Sequence, residues 1–151
     1  MQEEKLNFTI ELSGTYWDKK PEYSIWIDDS QIERKIIPTE SNELHTVLFS
    51  VSLVDGPHAL KIRLENKVGT DTVLKDGNIV QDMLLNIESI TVDDIDIGNL
   101  KWTLSYYQTD NTVFVDSENT NELKNCVNLG WNGAYILNFS CPYYLWLLEN
   151  L

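Results

Sequence analysis

Residues 56–66 read Gly-Pro-His-Ala-Leu-Lys-Ile-Arg-Leu-Glu-Asn, and residues 84–92 read Leu-Leu-Asn-Ile-Glu-Ser-Ile-Thr-Val. Apolar and charged residues alternate over residues 60–65, which is typical of a strand with one face in water. The second run predicts another strand, and a long polar loop connects the two. A polar loop between two strands can bind a ligand or an ion, and it does not by itself indicate an enzyme.

The same period of two recurs along most of the chain. Residues 7–12, 23–27, 47–53 and 134–139 follow it, and sequences rich in Asp, Gly and Pro mark turns between such runs. About ten short strands, separated by turns at intervals of about eight to twelve residues, are typical of a β-sandwich. We therefore predict an all-β fold, an antiparallel β-sandwich (jelly roll), formed as a single domain by residues 1–151.

The strand at residues 84–92 contains an irregularity. Leu85 and Ile87 share one face, whereas Ile90 and Val92 have the opposite phase. A change of phase by one residue within a strand is the effect of a β-bulge, which we predict near residues 88–89.

The alternation continues after residue 98. Trp102, Leu104 and Tyr106 have the spacing of a strand, so we predict a strand there. Four aromatic side chains are assigned to the core: Trp102, Tyr106, Tyr135 and Phe139.

Residues 142–151 read Pro-Tyr-Tyr-Leu-Trp-Leu-Leu-Glu-Asn-Leu. A proline before good helix formers predicts a short C-terminal helix, which needs another surface to be stable. Helical spacing places four residues on a stripe that can pack on the chain's own sheet: Tyr144, Leu147, Leu148 and Leu151. The other apolar residues need a second surface, so we predict that the segment also forms a protein–protein interface. The predicted interface residues are Tyr143, Tyr144, Trp146, Leu147 and Leu151.

The chain has 151 residues and a net charge of −13. Nucleic acid and anionic membranes attract Lys and Arg, so this charge argues against both as partners. Cys126 and Cys141 have no zinc-ligand spacing, and although a disulfide between them stays open, we expect buried free thiols. The sequence shows no secretion signal and no run of about 18 apolar residues, so we expect no membrane segment.

Residues 58–66, the polar loop and residues 82–92 resemble the core of calcium-dependent carbohydrate-binding modules of the xylan-binding kind. Residues 25–29, which read Ile-Trp-Ile-Asp-Asp, resemble the strand that opens those modules, so the resemblance covers residues 22–98. It implies a jelly-roll fold, no catalysis, and glycan bound through a calcium ion that the loop holds.

Two later segments, residues 100–104 and 127–133, are similar to small structural proteins of tailed bacteriophages. This resemblance implies a place in the virion for a protein made in the host cytoplasm.

Calcium takes about six to eight oxygen ligands, and the loop and its flanks offer four candidates. They are Asn66, Asp71, Asp76 and Asp82. Residues 65–98 include eight acidic and two basic residues, and a solvated acidic loop is the simpler explanation of that excess. The chain departs from the family's pattern at Lys67, where an acidic residue is usual. An ammonium group beside a metal site is unfavourable.

Glycan binding needs exposed aromatic faces with polar groups beside them. Five aromatic residues are candidates: Tyr16, Trp17, Trp26, Tyr107 and Trp131. Trp26 and Tyr107 have the phase of their strands that points away from the core, although most aromatic residues in a small sandwich pack inside it. No Gly-x-Ser-x-Gly motif marks a nucleophile, and no pair of carboxylates stands out.

Two functions remain open at this point. The first is a non-catalytic, virion-associated protein like a carbohydrate-binding module, which contacts host surface polysaccharide. The second is a purely structural virion or assembly protein in the tail, the neck or the capsid decoration, which binds only virion proteins or further copies of itself through its C-terminal segment.

Overall fold

The computed structural model describes residues 2–151. The strands in this part of the chain are β1 (Glu3–Thr15), β2 (Glu22–Ile27), β3 (Ser30–Ile36), β4 (His45–Val54), β5 (Gly56–Leu64), β6 (Val73–Lys75), β7 (Asn78–Gln81), β8 (Leu84–Val92), β9 (Ile95–Asp96), β10 (Ser105–Val115), β11 (Glu118–Lys124), β12 (Asn128–Leu129) and β13 (Gly133–Cys141). The helices are α1 (Leu100–Thr103) and α2 (Tyr143–Asn150), with a 3-10 turn at Gly69–Asp71.

Two antiparallel sheets form the body of the protein. One has the strand order β12-β8-β1-β4, with β9 paired to β8, and the other has the order β11-β10-β13-β5-β2-β3. Strands β6 and β7 form a separate hairpin within the loop between β5 and β8. The predicted antiparallel β-sandwich with a short C-terminal helix is therefore confirmed.

The core lies between the two sheets, as the alternation of the sequence predicts. In β1, every second residue is buried: Leu6, Phe8, Ile10 and Leu12. Strands β2, β5 and β13 contribute the facing layer, which includes Tyr23, Ile25, Leu60, Ile62, Tyr135 and Phe139. Burial of one such side chain contributes about 1.5–3 kcal/mol, so the packing of these two layers is a large favourable contribution to folding.

The predicted bulge in β8 is present at Glu88. Glu11 of β1 lies opposite Ser89, and the next residue, Leu12, lies opposite Ile87, which leaves Glu88 as the extra residue. The bulge restores the phase of the strand, so that Ile87 and Ile90 both reach the core.

The predicted strand through Trp102 is wrong. Residues 100–103 form the short helix α1, which follows a turn at Gly98 with φ of 57°. Leu100 is the buried residue of this turn, and Trp102 is 38% exposed beneath the ammonium of Lys101. The core assignment of Trp102 is therefore wrong, and Tyr106 is only half-buried, whereas Tyr135 and Phe139 are buried as predicted.

The predicted C-terminal helix is present, but a different face packs. The carboxylate of Glu4 accepts a hydrogen bond of 2.6 Å from the backbone N–H of Tyr143, which fixes the start of the helix. Tyr143 and Leu147 are buried one turn apart, so they cannot contact a partner as predicted. The predicted inward stripe is wrong, because three of its members are exposed: Tyr144, Leu148 and Leu151. Trp146 is half-buried against Phe139 and Tyr143.

The two cysteines are free thiols, half-buried at Cys126 and buried at Cys141. Burial raises the pKa of both thiols, and at Cys141 the nearby carboxylate of Glu4 adds to the effect and brings the pKa to about 12. The helices in residues 2–151 are too short, or not apolar enough, to cross a membrane.

Candidate functional site

A cleft of about 600 Å³ opens at the end of the sandwich where β1 ends. The loop between β5 and β8 forms one wall, and residues 128–132 form another. Its polar lining includes Lys67, Thr72, Asp82, Asn111, Asn128 and Asn132. Its apolar lining includes Val68, Ile79, Leu84, Val113 and Trp131. This mixture of one large aromatic, aliphatic side chains and several amides suits a neutral ligand that is rich in hydroxyl groups.

Trp131 presents the aromatic surface of the cleft and is 40% exposed. Its backbone is held by Tyr107, whose hydroxyl donates to the carbonyl of Trp131 and accepts a 2.9 Å hydrogen bond from its N–H. Because both backbone groups of Trp131 are bound by one buried side chain, the loop is fixed at the residue that carries the exposed ring.

Tyr107 itself is fully buried, so its predicted role as a glycan-stacking residue is wrong. Helix α1 delays the start of β10 to Ser105, and from there Ser105, Tyr107 and Thr109 are the buried residues. A strand that extends back through Trp102, as the sequence predicts, has the opposite phase at Tyr107.

Lys67 and Asp82 form an ion pair at the wall of the cleft. The Lys67 ammonium lies 2.7 Å from Oδ1 of Asp82 and also donates a 2.7 Å hydrogen bond to the carbonyl of Gly130. The same oxygen of Asp82 accepts from the hydroxyl of Thr72 at 2.7 Å and from the N–H of Met83 at 2.8 Å. Burial raises the pKa of Asp82, but these hydrogen bonds outweigh it, so the net pKa is lowered and the carboxylate stays charged.

The backbone of Lys67 is fixed by the side chain of Asn132. The amide oxygen of Asn132 accepts from the N–H of Lys67, and its amide nitrogen donates to the carbonyl of Lys67, both at 2.8 Å. This pair of bonds joins the loop after β5 to the loop before β13 in the way that a strand partner would.

A second ion pair lies deeper in the same loop. The ammonium of Lys19 lies 2.9 Å from Oδ2 of Asp71 and 2.5 Å from the carbonyl of Asn66. Oδ2 of Asp71 also accepts from the N–H of Val68 at 2.8 Å. Burial raises the pKa of Asp71, but the bonds from Val68 and Lys19 and the charge of Lys67 outweigh it, so the net pKa is lowered.

The structure does not bring the four predicted calcium ligands together as a metal centre. Asn66 is used for structure, because its side-chain oxygen accepts from the N–H of Glu22 and its nitrogen donates to the carbonyl of Lys20. Asp76 lies exposed in the turn between β6 and β7. In residues 2–151, no three His, Cys, Asp or Glu side chains are grouped to hold a metal. Since each of the other two carboxylates already binds an ammonium group, this arrangement does not fit calcium as it stands.

The other predicted glycan-binding aromatics lie outside the cleft. Tyr16 is half-buried, and its hydroxyl donates to the carbonyl of Thr39. Trp17 is 45% exposed, but its indole N–H donates to the carbonyl of Asp71 at 2.9 Å. Trp26 is half-buried, and its indole N–H donates to the hydroxyl of Ser24 at 2.9 Å. Of the five candidates, Trp131 alone lines the cleft.

Sequence reasoning missed the polar residues that surround Trp131. The sequence marks Lys67 only as a departure from the family's pattern, and it assigns no role to Asn132, which follows Trp131 in a Gly-Trp-Asn-Gly turn at residues 130–133. That turn was the available signal, because two glycines around Trp-Asn place two large side chains on a tight loop.

No protein-family model and no curated protein matches the sequence. The structure, in contrast, is similar to solved ones. It matches vCBM60 in complex with galactobiose with a TM-score of 0.54 at 12% sequence identity, over 89% of this chain and 97% of that chain. The chain shares the β-sandwich fold of vCBM60.

The SeMet form of vCBM60 matches with a TM-score of 0.55 at 10% identity, over 87% of this chain and 89% of that chain. The description of that structure states that circular permutation provides an evolutionary link between two families of calcium-dependent carbohydrate binding modules. The predicted likeness to such a module is therefore confirmed at the level of the fold.

Proposed function

We propose that this protein is a non-catalytic carbohydrate-binding protein whose binding site is the cleft beside Trp131. One observation carries the proposal: an exposed indole lies on a rigid loop, among amides and an ion pair, in a fold shared with a module that was solved with galactobiose. Of the five aromatic candidates, Trp131 is the one that lines this cleft, which is why the proposal is built on it.

The chemistry of the cleft suits a sugar. The C–H face of a pyranose ring packs on an aromatic face, while its hydroxyl groups need donors and acceptors at the edges. Asn111, Asn128 and Asn132 supply amides at the lining. The bonds from Tyr107 hold Trp131 in place before a ligand arrives, which reduces the entropy lost on binding.

A glycan array that includes galactobiose and xylan fragments tests this function. We expect retention of one class of neutral glycan by the wild-type protein and a loss of at least about tenfold in affinity for Trp131→Ala. Trp102→Ala is the matched control, since Trp102 is similarly exposed on α1 and lies outside the cleft. Equal binding by wild type and Trp131→Ala, or no glycan retained at all, contradicts the proposal.

We further propose that α2 provides a protein-binding surface, as the second predicted function requires. Three large apolar residues on this helix, Tyr144, Leu145 and Leu148, are exposed, and so is Leu151, which directly follows it. Their continuity supports an interface, because scattered apolar residues are ordinary on a surface but a cluster on one helix is not. A role in a virion and an origin in a bacteriophage stay predictions from the sequence resemblance.

The mass of the particle in solution tests this second function. We expect the wild-type protein to self-associate or to be retained by an assembly partner, and Leu148→Ser to reduce the association without lowering the melting temperature. Leu48→Ser is the control, because Leu48 is equally exposed on β4. A monomer at every concentration, with no partner retained, counts against the surface.

A further inference from the structure

We propose that Lys67 is the built-in cation of the cleft, and that its ammonium takes the place of a bound calcium ion. The part of this inference that concerns ligand binding rests on the proposed carbohydrate function. The part that concerns the cation rests only on the geometry of the loops.

The ammonium of Lys67 joins two separate loops. It bonds Asp82, which lies just before β8, and the carbonyl of Gly130, which lies just before β13. A carboxylate and a backbone carbonyl from different loops are the ligand types that calcium prefers. Here one positive charge on a side chain links the same types of group.

The position of Lys67 is fixed and sheltered. Asn132 bonds both backbone polar groups of Lys67, and the lysine side chain is 10% exposed. A long side chain gives up considerable rotational freedom when it is held this way. The two bonds from Asn132 lower that cost, because they already fix the backbone from which the lysine side chain extends.

A calcium ion would need the place that the ammonium holds. Calcium binds oxygen at about 2.3–2.6 Å, and Oδ1 of Asp82 is already bonded to Lys67, Thr72 and Met83. To admit the ion, Lys67 would have to leave two partners and move its charge elsewhere. The buried carboxylate of this loop, on Asp71, is likewise matched by Lys19, so neither Asp71 nor Asp82 offers an unpaired charge to a divalent ion.

Lys67 also has a donor to offer a ligand. An ammonium group has three N–H donors, and within residues 2–151 two acceptors bind that of Lys67. Oδ2 of Asp82 likewise accepts from no group in the same part of the chain, since all its protein bonds are to Oδ1. Neighbouring sugar hydroxyls can therefore accept from Lys67 and donate to Asp82 without any metal.

Titration of the wild-type protein with calcium chloride alone tests directly whether the ammonium of Lys67 excludes calcium. We expect no saturable heat of binding by calorimetry and no rise in melting temperature between chelator and millimolar calcium. Saturable binding with a rise of about 3 °C or more overturns the inference, because calcium then stabilises the native state in spite of Lys67.

A charge reversal at the same position provides the complementary test. In Lys67→Asp the ammonium is lost and a carboxylate joins Asp82, so we expect calcium to raise the melting temperature of this variant alone. Lys75→Asp is the matched control, since it makes the same change of charge on the exposed β6–β7 hairpin. An equal response to calcium in the two variants contradicts the inference, and if Lys67→Asp does not fold, the wild-type titration decides.

Ligand binding is measured last, with galactobiose and with any glycan that the array retains. We expect the same affinity in chelator and in calcium, and a loss of at least about tenfold for Lys67→Met. A requirement for calcium overturns the inference while it supports the carbohydrate function. A protein that retains no glycan contradicts the carbohydrate function, and the calcium titration still decides the role of Lys67.

Discussion

The buried hydroxyl of Tyr107 bonds both backbone polar groups of Trp131, the residue that carries the exposed ring of the cleft. Strand β10, which carries Tyr107 in the core, therefore fixes the position of the loop that carries Trp131. The cleft is rigid at its aromatic wall because the support is inside the sandwich.

Removal of that hydroxyl leaves two backbone groups of Trp131 without partners. We expect Tyr107→Phe to lower the free energy of unfolding by about 1–3 kcal/mol, since an unsatisfied buried polar group has that cost. Urea unfolding measures it. Tyr106→Phe is the control, because Tyr106 is the half-buried neighbour in the same strand and its hydroxyl does not hold Trp131. Equal effects in the two variants would show that the bonds to Trp131 contribute nothing specific.

Gly133 permits the close approach of two strands below the cleft. A Cβ at this position would lie 2.3 Å from the carbonyl oxygen of Gln108 and 2.7 Å from Cα of Thr109. These are backbone atoms that cannot move aside, so we expect Gly133→Ala to destabilise the protein by about 3 kcal/mol or more. Gly69→Ala is the control, because nothing lies within 4 Å of its added Cβ. A similar melting temperature for the two variants contradicts this expectation.

His58 makes the stability of the protein depend on pH. Its Nδ1 lies 2.7 Å from a carboxylate oxygen of Asp28, and its Nε2 lies 2.7 Å from the carbonyl of Val54. Burial lowers the pKa of His58, but the bonds to Val54 and Asp28 outweigh it, so the net pKa is raised. The folded state therefore holds its proton longer than the unfolded state. The stabilisation is full below the unfolded pKa of about 6.5 and is lost as the pH rises through the folded pKa.

The measurement compares wild type and His58→Gln in urea at pH of about 5.5 and 8.5. We expect the difference in stability between the two proteins to be larger at the lower pH. The slope of the wild type alone is not sufficient, because burial and the charge of Lys35 lower the pKa of His45, which contributes with the opposite sign. A constant difference across this range rules out a charged His58.

Asp82 makes the stability of the protein depend on pH in the acid range, with a sign opposite to that of His58. Its lowered pKa means that the stabilisation is present above the unfolded pKa of about 3.9 and is lost as the pH falls through the folded value. We expect Asp82→Asn to be less stable than wild type at neutral pH and to lose less stability on acidification. Glu118→Gln, on the exposed strand β11, is the control. Parallel acid-unfolding curves for wild type and Asp82→Asn contradict the expectation.

The sequence predicts most of the fold because the core depends on a local pattern. The alternation in β1 and the change of phase at Glu88 each correspond to a structural fact. The error at Trp102 and Tyr107 has one origin, the helical turn α1, which shifts the phase of β10 by one residue. A four-residue turn leaves no periodic signal, since it is shorter than two helical repeats.

The site was less predictable than the fold because it depends on contacts distant in sequence. Lys67 meets Gly130 and Asn132 across more than 60 residues. Residue types identify Trp131 as a candidate, but they identify Tyr16, Trp17 and Trp26 equally, and only the position of the cleft separates Trp131 from the other three. The acidic residues of the loop predict a metal site. The lysines that neutralise them are not part of that pattern, because Lys19 lies far from Asp71 in sequence, and Lys67 lies where an acidic residue is usual.

Strand β1 separates the two proposed surfaces. Glu4, near its start, contacts the first residue of α2, and Thr15, at its end, pairs with Leu84 at the rim of the cleft. Thirteen residues of strand span about 40 Å. A copy anchored through α2 would therefore direct its cleft away from the anchor, and a row of anchored copies would present a row of clefts. Weak binding to single sugars would then add up to firm attachment to a polysaccharide. Each bound copy holds the neighbouring clefts close to the next sugar repeats, which raises the effective concentration for their binding.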